Sequence, residues 1–358
     1  MIALSAVQQR IKPHYRVITL LPGLSAVSLM TLFILWLATI PQVSQWGPGS
    51  LTLAIVAGIL LGNTLYPRLH TYCDLGVQWA KQHLLRWGIM LYGFRISFQQ
   101  ITTVGTAGII IDLAIVASTF LLACWLGRRL FKLDSETTIL IGAGSSICGA
   151  AAILATAPVV NASGDKIAVA VSTVVIFGTA AIFLYPWLYQ LNLYYHWITL
   201  TPQTFGMYLG STIHEVAQVV AAGHAINAET ENIAVIGKML RVMLLAPFLL
   251  ALGLVLKNRQ QTRSSAAPVS LMFPWFALWF VAIAAFNSCQ LLSTDVVNEL
   301  IKLDNILLMM AMIALGLTTR LSAIRQAGVK PLLLALILFL WLLAGGAGIN
   351  LAVEQLFR

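Results

Sequence analysis

Charge is what this chain lacks most. Only 9% of its 358 residues are Asp, Glu, Lys or Arg, against 59% hydrophobic, whereas soluble domains carry about 25% charged residues. That scarcity excludes a water-facing surface over most of the chain. It also argues against a soluble helical protein with a buried core, because nearly every candidate helix is apolar on all faces. Cysteine is scarce too. Cys73, Cys124, Cys148 and Cys289 form no CxxC pair, so nothing calls for a disulfide, haem or zinc. The stretch GAGSSICGAAAILATAP, 142–158, lacks the lysine that a phosphate-binding loop places after its glycines. Residues 1–16 lack the short apolar region and small-residue cleavage site of a secretory signal, and are expected to remain as a cytoplasmic segment. No metal-ligand cluster, nucleophile triad or cofactor motif stands out. Neither an enzyme nor a bound cofactor is expected.

What the chain has is apolar length. Eleven spans can be read, at about 17–38, 49–65, 86–103, 105–126, 137–158, 167–189, 204–224, 232–256, 270–289, 303–319 and 331–350. Most approach the roughly 20 residues that cross a bilayer. The expected fold is an all-α polytopic membrane protein of about eleven transmembrane helices. It comprises one transmembrane transporter domain over 17–350, a polar link at 257–270 and a short tail at 351–358.

Basic residues suggest an orientation. With the N-terminus in the cytoplasm, most of the 21 Lys and Arg fall in cytoplasmic segments, including Arg68, Lys81, Arg128, Arg129, Lys132 and Lys330. Lys166, Lys302, Asp165, Glu229, Glu231 and the C-terminus fall on the periplasmic or extracellular side. The net charge of +9 therefore reads as positive-inside topology, not as nucleic-acid binding.

Two spans carry helix-breaking chemistry. In GSSICGAAAILA, 144–155, glycines permit turns, and Ser145 and Ser146 can cap a new helix start. The segment GSTIHEVAQVVA, 210–221, begins with the same glycine–hydroxyl–hydroxyl–isoleucine pattern. Each is expected to be a discontinuous helix whose free N-terminus favours an anion. The alternative is ordinary packing of small residues between helices. His214 and Glu215 lie deep in their span, where ionisable groups usually serve a path or a partner, and His214 shares a helix face with Gln218. Lys238 and Arg241, three apart, face the same way; a snorkelling role for Lys238 and a structural pairing of Arg241 with Glu215 or Asp112 are the alternatives. Asp112 has no partner evident from sequence. Arg95 lines a cavity or ends a span, Asp304 and Lys302 read as interfacial, and Asn287 can close a polar network. The stretches 88–105 and 311–328 resemble each other and lie in spans of opposite direction, as an inverted repeat requires. The two broken segments lie in spans of the same direction, so one is re-entrant, one match is chance, or the span count is wrong.

Taken together, LLRWGIMLYGFRISF, GSSICGAAAI, STIHEVAQVVAAG, GKMLRVMLLAP, FPWFALWF and AMIALGLTTRL resemble the YeiH-type family of membrane proteins, to which sulfate export is ascribed. The resemblance runs over nearly the whole chain and implies a transporter of the bacterial inner membrane. It also implies distant kinship with ten-helix inverted-repeat carriers. Cys148 reads as a small buried cysteine.

The expected function is secondary transport of a small inorganic or organic anion, sulfate or a related oxyanion, with proton coupling. The expected substrate-binding residues are Ser145, Ser146, Cys148, Gly149, Ser211, Thr212, His214, Lys238 and Arg241. The expected ion-coupling residues are His214, Glu215 and Asp112. A sodium-coupled organic-anion carrier and an anion channel are the alternatives. Membrane lipid is an expected partner, and homo-oligomerisation stays open.

Overall fold

The computed structural model describes residues 13–40, 50–196, 201–259, 274–319 and 327–357. Most of the expected N-terminal segment and of the polar link lies outside the described residues. The described secondary structure is all helical. In chain order the helices are α1 (Pro13–Ala38), α2 (Ser50–Thr64), α3 (Tyr66–Trp79), α4 (Leu85–Tyr92), α5 (Phe98–Arg129), α6 (Ser135–Ser146), α7 (Ala150–Val160) and α8 (Gly164–Tyr195). They continue as α9 (Pro202–Thr212), α10 (Val216–His224), α11 (Ala228–Met243), α12 (Leu245–Arg259), α13 (Trp275–Ser288), α14 (Thr294–Thr318) and α15 (Val329–Phe357). A π-helical turn, Ala80–Leu84, joins α3 to α4, and a 3-10 turn, Gly93–Arg95, ends α4. The chain divides into two compact units, Met1–Arg95 with Trp279–Leu321, and Ile96–Leu278 with Ser322–Arg358.

In the first unit, α2 and α14 cross at backbone distance. A Cβ on Gly58 would stand 2.6 Å from the Ile313 carbonyl, and one on Gly316 only 2.5 Å from the Ile55 carbonyl. Gly58 and Gly62 form a small-xxx-small pair, which lets helices pack closely where lipid supplies no hydrophobic drive. The segment 66–85, which falls between two of the spans read from sequence, is helical. Proline in the first turn of α3 pre-sets the backbone, and the helix buries Cys73, Gly76 and Val77 while exposing Tyr72 and Leu75. It turns away from α2 by 119°.

The expected boundary between the third and fourth spans is displaced. The chain breaks at Gly93–Ser97, and α5 then runs through Gly105 without interruption. Ser97 and Gln100 form a capping box: Gln100 N donates to Ser97 Oγ at 3.3 Å, and Ser97 N donates to Gln100 Oε1 at 2.9 Å. That exchange satisfies two backbone donors at a helix start.

In the second unit, α6–α7 and α9–α10 are helical hairpins. A Cβ on Gly144 would meet Ile153 at 2.7 Å, so α7 folds back along α6. At the open end, Lys166 Nζ bridges Asp134 Oδ2 and Glu136 Oε2, each at 2.9 Å. Thus the start of α6 and the start of α8 lie at one end of the unit. The second hairpin closes the same way. Gln203, in α9, bonds to Glu229, and His224, at the end of α10, lies 2.9 Å from Glu231. Helix α8, with 32 residues, is about 48 Å long at the α-helical rise and separates the two open ends. The hairpins therefore enter from opposite ends of the unit.

These hairpins correct the span count. Among the described residues, six helical stretches are long and apolar enough to cross a membrane, α11 and α12 counting as one, or seven if α2 and the bent α3–α4 stretch make one span, against the eleven spans expected. The runs 137–158 and 204–224 have the hydropathy of crossings, yet each is split near its middle and returns to its starting end. The topology changes with them. Lys166 shares an end with Asp134 and with Arg128, whose Nη2 donates to Ser135 Oγ, whereas the sequence reading put Lys166 opposite to Arg128. Large apolar side chains such as Leu29, Trp36, Trp187 and Leu254 are exposed, as lipid-facing residues are.

Single-cysteine chains carrying Asp134→Cys, Lys166→Cys or Glu229→Cys are expected to label with an impermeant thiol reagent in a fixed pattern. The first two react from one face of the membrane and the third from the other. Labelling of positions 134 and 166 from opposite faces would rule out the re-entrant hairpin.

Candidate functional site

The two hairpin tips define the site. Helix α6 ends at Ser146, the tip is Ile147–Gly149, and α7 begins at Ala150. Helix α9 ends at Thr212, the tip is Ile213–Glu215, and α10 begins at Val216. Ser145 and Ser146 therefore do not cap a new helix; they close the old one. Their carbonyls are among the last four of α6, which have no partner within the helix. The resumption of helix falls to Gly149, whose φ of +67° is strained for any residue with a Cβ. His214 precedes α10 and sits in the tip, so it does not share a helix face with Gln218.

Both basic residues of α11 serve these orphaned carbonyls. Lys238 Nζ donates to Ile147 O at 2.8 Å and to Ile213 O at 2.6 Å. Arg241 Nη2 donates to Ser145 O at 2.7 Å, Nε to Ser146 O at 2.8 Å, and Nη1 to Ser211 O at 2.6 Å and Ile213 O at 3.3 Å. The pattern is paired. When GSSICG is set over GSTIHE, Ile147 matches Ile213 and Ser145 matches Ser211, and each basic group holds one matched pair. The C-terminal ends of α6 and α9 carry partial negative charge. A lysine and an arginine stand against them, and both Lys238 and Arg241 are completely buried.

The positive ends of α7 and α10 face a carboxylate. Ala150 N, the first amide of α7, donates to Glu215 Oε1 at 3.4 Å. Glu215 is also the N-cap of α10 and forms a capping box with Gln218, whose Oε1 accepts from Glu215 N at 3.0 Å. The expectation of two uncapped N-termini is corrected here: one carboxylate serves both.

Around this centre lie polar groups with no hydrogen-bond partner. Asp112 on α5 is fully buried and both its carboxylate oxygens are unpartnered, although it lies within electrostatic reach of Arg241 and Lys238. Neither carboxylate, Asp112 nor Glu215, is hydrogen-bonded to Arg241. His214 Nδ1, Ser145 Oγ, Gln218 Nε2 and Asn350 Oδ1 are likewise buried and unpartnered. Unsatisfied groups of this kind call for water, an ion or a ligand. Ser211 Oγ accepts from Asn350 Nδ2 at 3.0 Å, and Thr212 Oγ1 bonds to Tyr208 O at 2.5 Å. Cys148 is buried in the first tip and is a free thiol. The structure thus gathers every sequence-selected site residue into one unit. It adds Gln218, Tyr185, Tyr208 and Asn350, which scattered polar residues on separate helices did not reveal as a group.

Elsewhere the reading is corrected. Asp304 is not interfacial: it is fully buried and forms an ion pair with Arg95 at 2.7 Å. Arg95 also donates to Asn305 Oδ1 at 2.6 Å and lies 4.8 Å from the Tyr92 ring. Asn287 donates to Phe94 O at 2.9 Å. Both contacts tie down the break after α4. Lys302 is exposed and pairs with Glu299. A cavity of about 390 Å³ along α5 and α12, lined by Leu113, Phe120, Leu244 and Phe248 among others, contains none of the site residues.

A profile of the family described as Conserved hypothetical protein 698 matches residues 22–335. This chain belongs to that family. It is 59% identical over 340 residues to the UPF0324 membrane protein plu2856 of Photorhabdus laumondii, covering 94% of each chain. It is 55% identical over 344 residues to the UPF0324 inner membrane protein YeiH of Escherichia coli strain K12, covering 96% of this chain and 97% of the relative. No solved structure matches the chain. The match spans both hairpins and the basic pair, so the central arrangement lies inside the family's shared region and not in an appended segment.

Replacing Arg241 by alanine strands carbonyls of both tips in a buried site, at about 1–3 kcal/mol for each unsatisfied group. The expected result is a clear fall in thermal stability of the detergent-solubilised chain, larger than for Arg241→Lys. Equal melting temperatures for Arg241→Ala and the unaltered chain would show that the tips do not depend on the guanidinium.

Proposed function

We propose that this multi-pass protein is a secondary carrier, in the exporting sense, for a small inorganic or organic anion of the sulfate or related oxyanion class. One observation carries the reading: fixed positive charge occupies the carbonyl ends of both hairpins. In carriers built from broken helices, half-helix N-termini face anionic substrate groups, while unwound carbonyls and C-terminal ends hold the coupling cation. Here Lys238 and Arg241 fill the second role from within the chain. A dissolved sodium ion has no free carbonyl set to enter there, which favours the anion carrier over its sodium-coupled alternative.

On this reading the substrate meets the tips formed by Ser145, Ser146, Cys148, Gly149, Ser211, Thr212 and His214. Lys238 and Arg241 supply the positive field behind them. Ion coupling falls to protons on His214, Glu215 or Asp112, the ionisable groups near the tips that are not hydrogen-bonded to a fixed cation. Transport proceeds by alternating access. Entry of the two hairpins from opposite ends, with matched residues on the same basic groups, supports an inverted repeat centred on the tips. The inner-membrane names of the relatives support a bacterial inner-membrane location, and the basic end at Arg128–Lys132 supports placing that end in the cytoplasm.

The test is a panel of anions in proteoliposomes under imposed proton and sodium gradients. Uptake is expected to respond to the proton gradient and to persist when sodium is replaced by potassium. Loss of uptake on that replacement would move the chain to the sodium-coupled alternative. His214→Ala is expected to change the pH profile of uptake; an unchanged profile removes His214 from coupling.

A further inference from the structure

Gly149 and Glu215 occupy matched positions: each is the N-cap of the returning helix of its hairpin. They also meet. A Cβ on Gly149 would fall 2.5 Å from Glu215 Cγ, so the missing side chain of one tip is the space that holds the side chain of the other. Where two matched positions converge, only one can carry a side chain.

The N-terminus of α7, an eleven-residue helix, has no side-chain cap of its own; the Glu215 carboxylate is what meets its first amide. That bond, at 3.4 Å, is beyond the usual range for N–H···O, so the carboxylate is held without being clamped. Around it are buried groups with nothing to bind. Gln218 Nε2 is fully buried and unpartnered, although the same amide's oxygen is bonded to Glu215 N. His214 Nδ1, on the adjacent residue, is 1% exposed and also unpartnered. Glu215 itself is the one residue of its tip that is not fully buried.

We propose that the Glu215 carboxylate is a tethered stand-in for the transported oxyanion. It rests on the N-terminal end of α7, and a free oxyanion displaces it and recruits the unpartnered Gln218 amide donor. The proposal rests on the carrier reading and deepens it by naming the competitor within the site. Binding of substrate and protonation of Glu215 favour the same event, departure of the carboxylate from Gly149 and Ala150. The charged and titratable groups facing Glu215 are Lys238 on α11 and Cys148 in the opposite tip. His214 lies on its own turn, and Arg241 and Asp112 stand behind Lys238.

The test measures equilibrium binding of sulfate to the full-length, detergent-solubilised chain as a function of pH. Glu215→Gln keeps the shape and removes the charge; Glu215→Ala removes the competitor. Both are expected to bind sulfate about tenfold more tightly than the unaltered chain near neutral pH, the scale of one charge-assisted hydrogen bond. The unaltered chain is expected to gain affinity as pH falls, and Glu215→Gln to lose most of that dependence. Unchanged or weaker binding by Glu215→Gln, an unchanged pH dependence, or no sulfate binding by any of the three proteins would overturn the proposal. Tight binding without transport in proteoliposomes would sink the carrier reading and leave only the competition between Glu215 and a bound oxyanion.

Discussion

Everything at the centre of the second unit depends on one electrostatic arrangement. Two helices end inside the membrane domain with their carbonyls unsatisfied, and one Lys and one Arg from a single neighbouring helix satisfy them. Without water to solvate them, such carbonyls are costly in lipid. Buried cations are costly as well, unless paired. Each therefore removes the penalty of the other. Lys238 and Arg241 are three apart on α11, so one helix face reaches both tips at once. The hairpins cannot separate without exposing five carbonyls and the two basic groups that hold them.

This arrangement divides labour by sign. Negative helix ends are neutralised permanently from within the chain. Positive helix ends, at Gly149–Ala150 and Glu215–Val216, meet at a single carboxylate, whose bond to the first amide of α7 is long. The first contact is dense and multiply bonded, whereas the second is sparse and surrounded by unpartnered donors. A site built this way is tightly bonded at its carbonyl ends and loosely held at its amide ends. Asp112 adds a further buried carboxylate close to the basic pair, with no bond to it, so the local charge balance changes with any proton that enters.

The first unit solves a different problem with different residues. Its helices approach through glycine, with α2 and α14 in backbone contact. Its main buried ion pair, Arg95 with Asp304, anchors the break at the end of α4. That pair, with Asn305 and the Tyr92 ring, satisfies the guanidinium without any ligand. Its chemistry is that of a fastening, in contrast to the unpartnered groups around the hairpin tips.

The sequence by itself determined the class of molecule and the places where helices break. Scarcity of charge and long apolar runs left no soluble fold, and the paired GSSI and GSTI segments marked both tips. His214, Glu215, Lys238 and Arg241 stood out because buried charge in an apolar span needs a reason. Even the start of α5 was written in Ser97 and Gln100, though the apolar run through them hid it. Only the tertiary structure decided the direction of the chain after each break, because hydropathy measures how apolar a segment is and not whether it crosses or turns back. It likewise decided which end of each half-helix met which charge. That depends on contacts between residues far apart in the chain, Lys238 with Ile147 or Glu215 with Ala150, which no local pattern records.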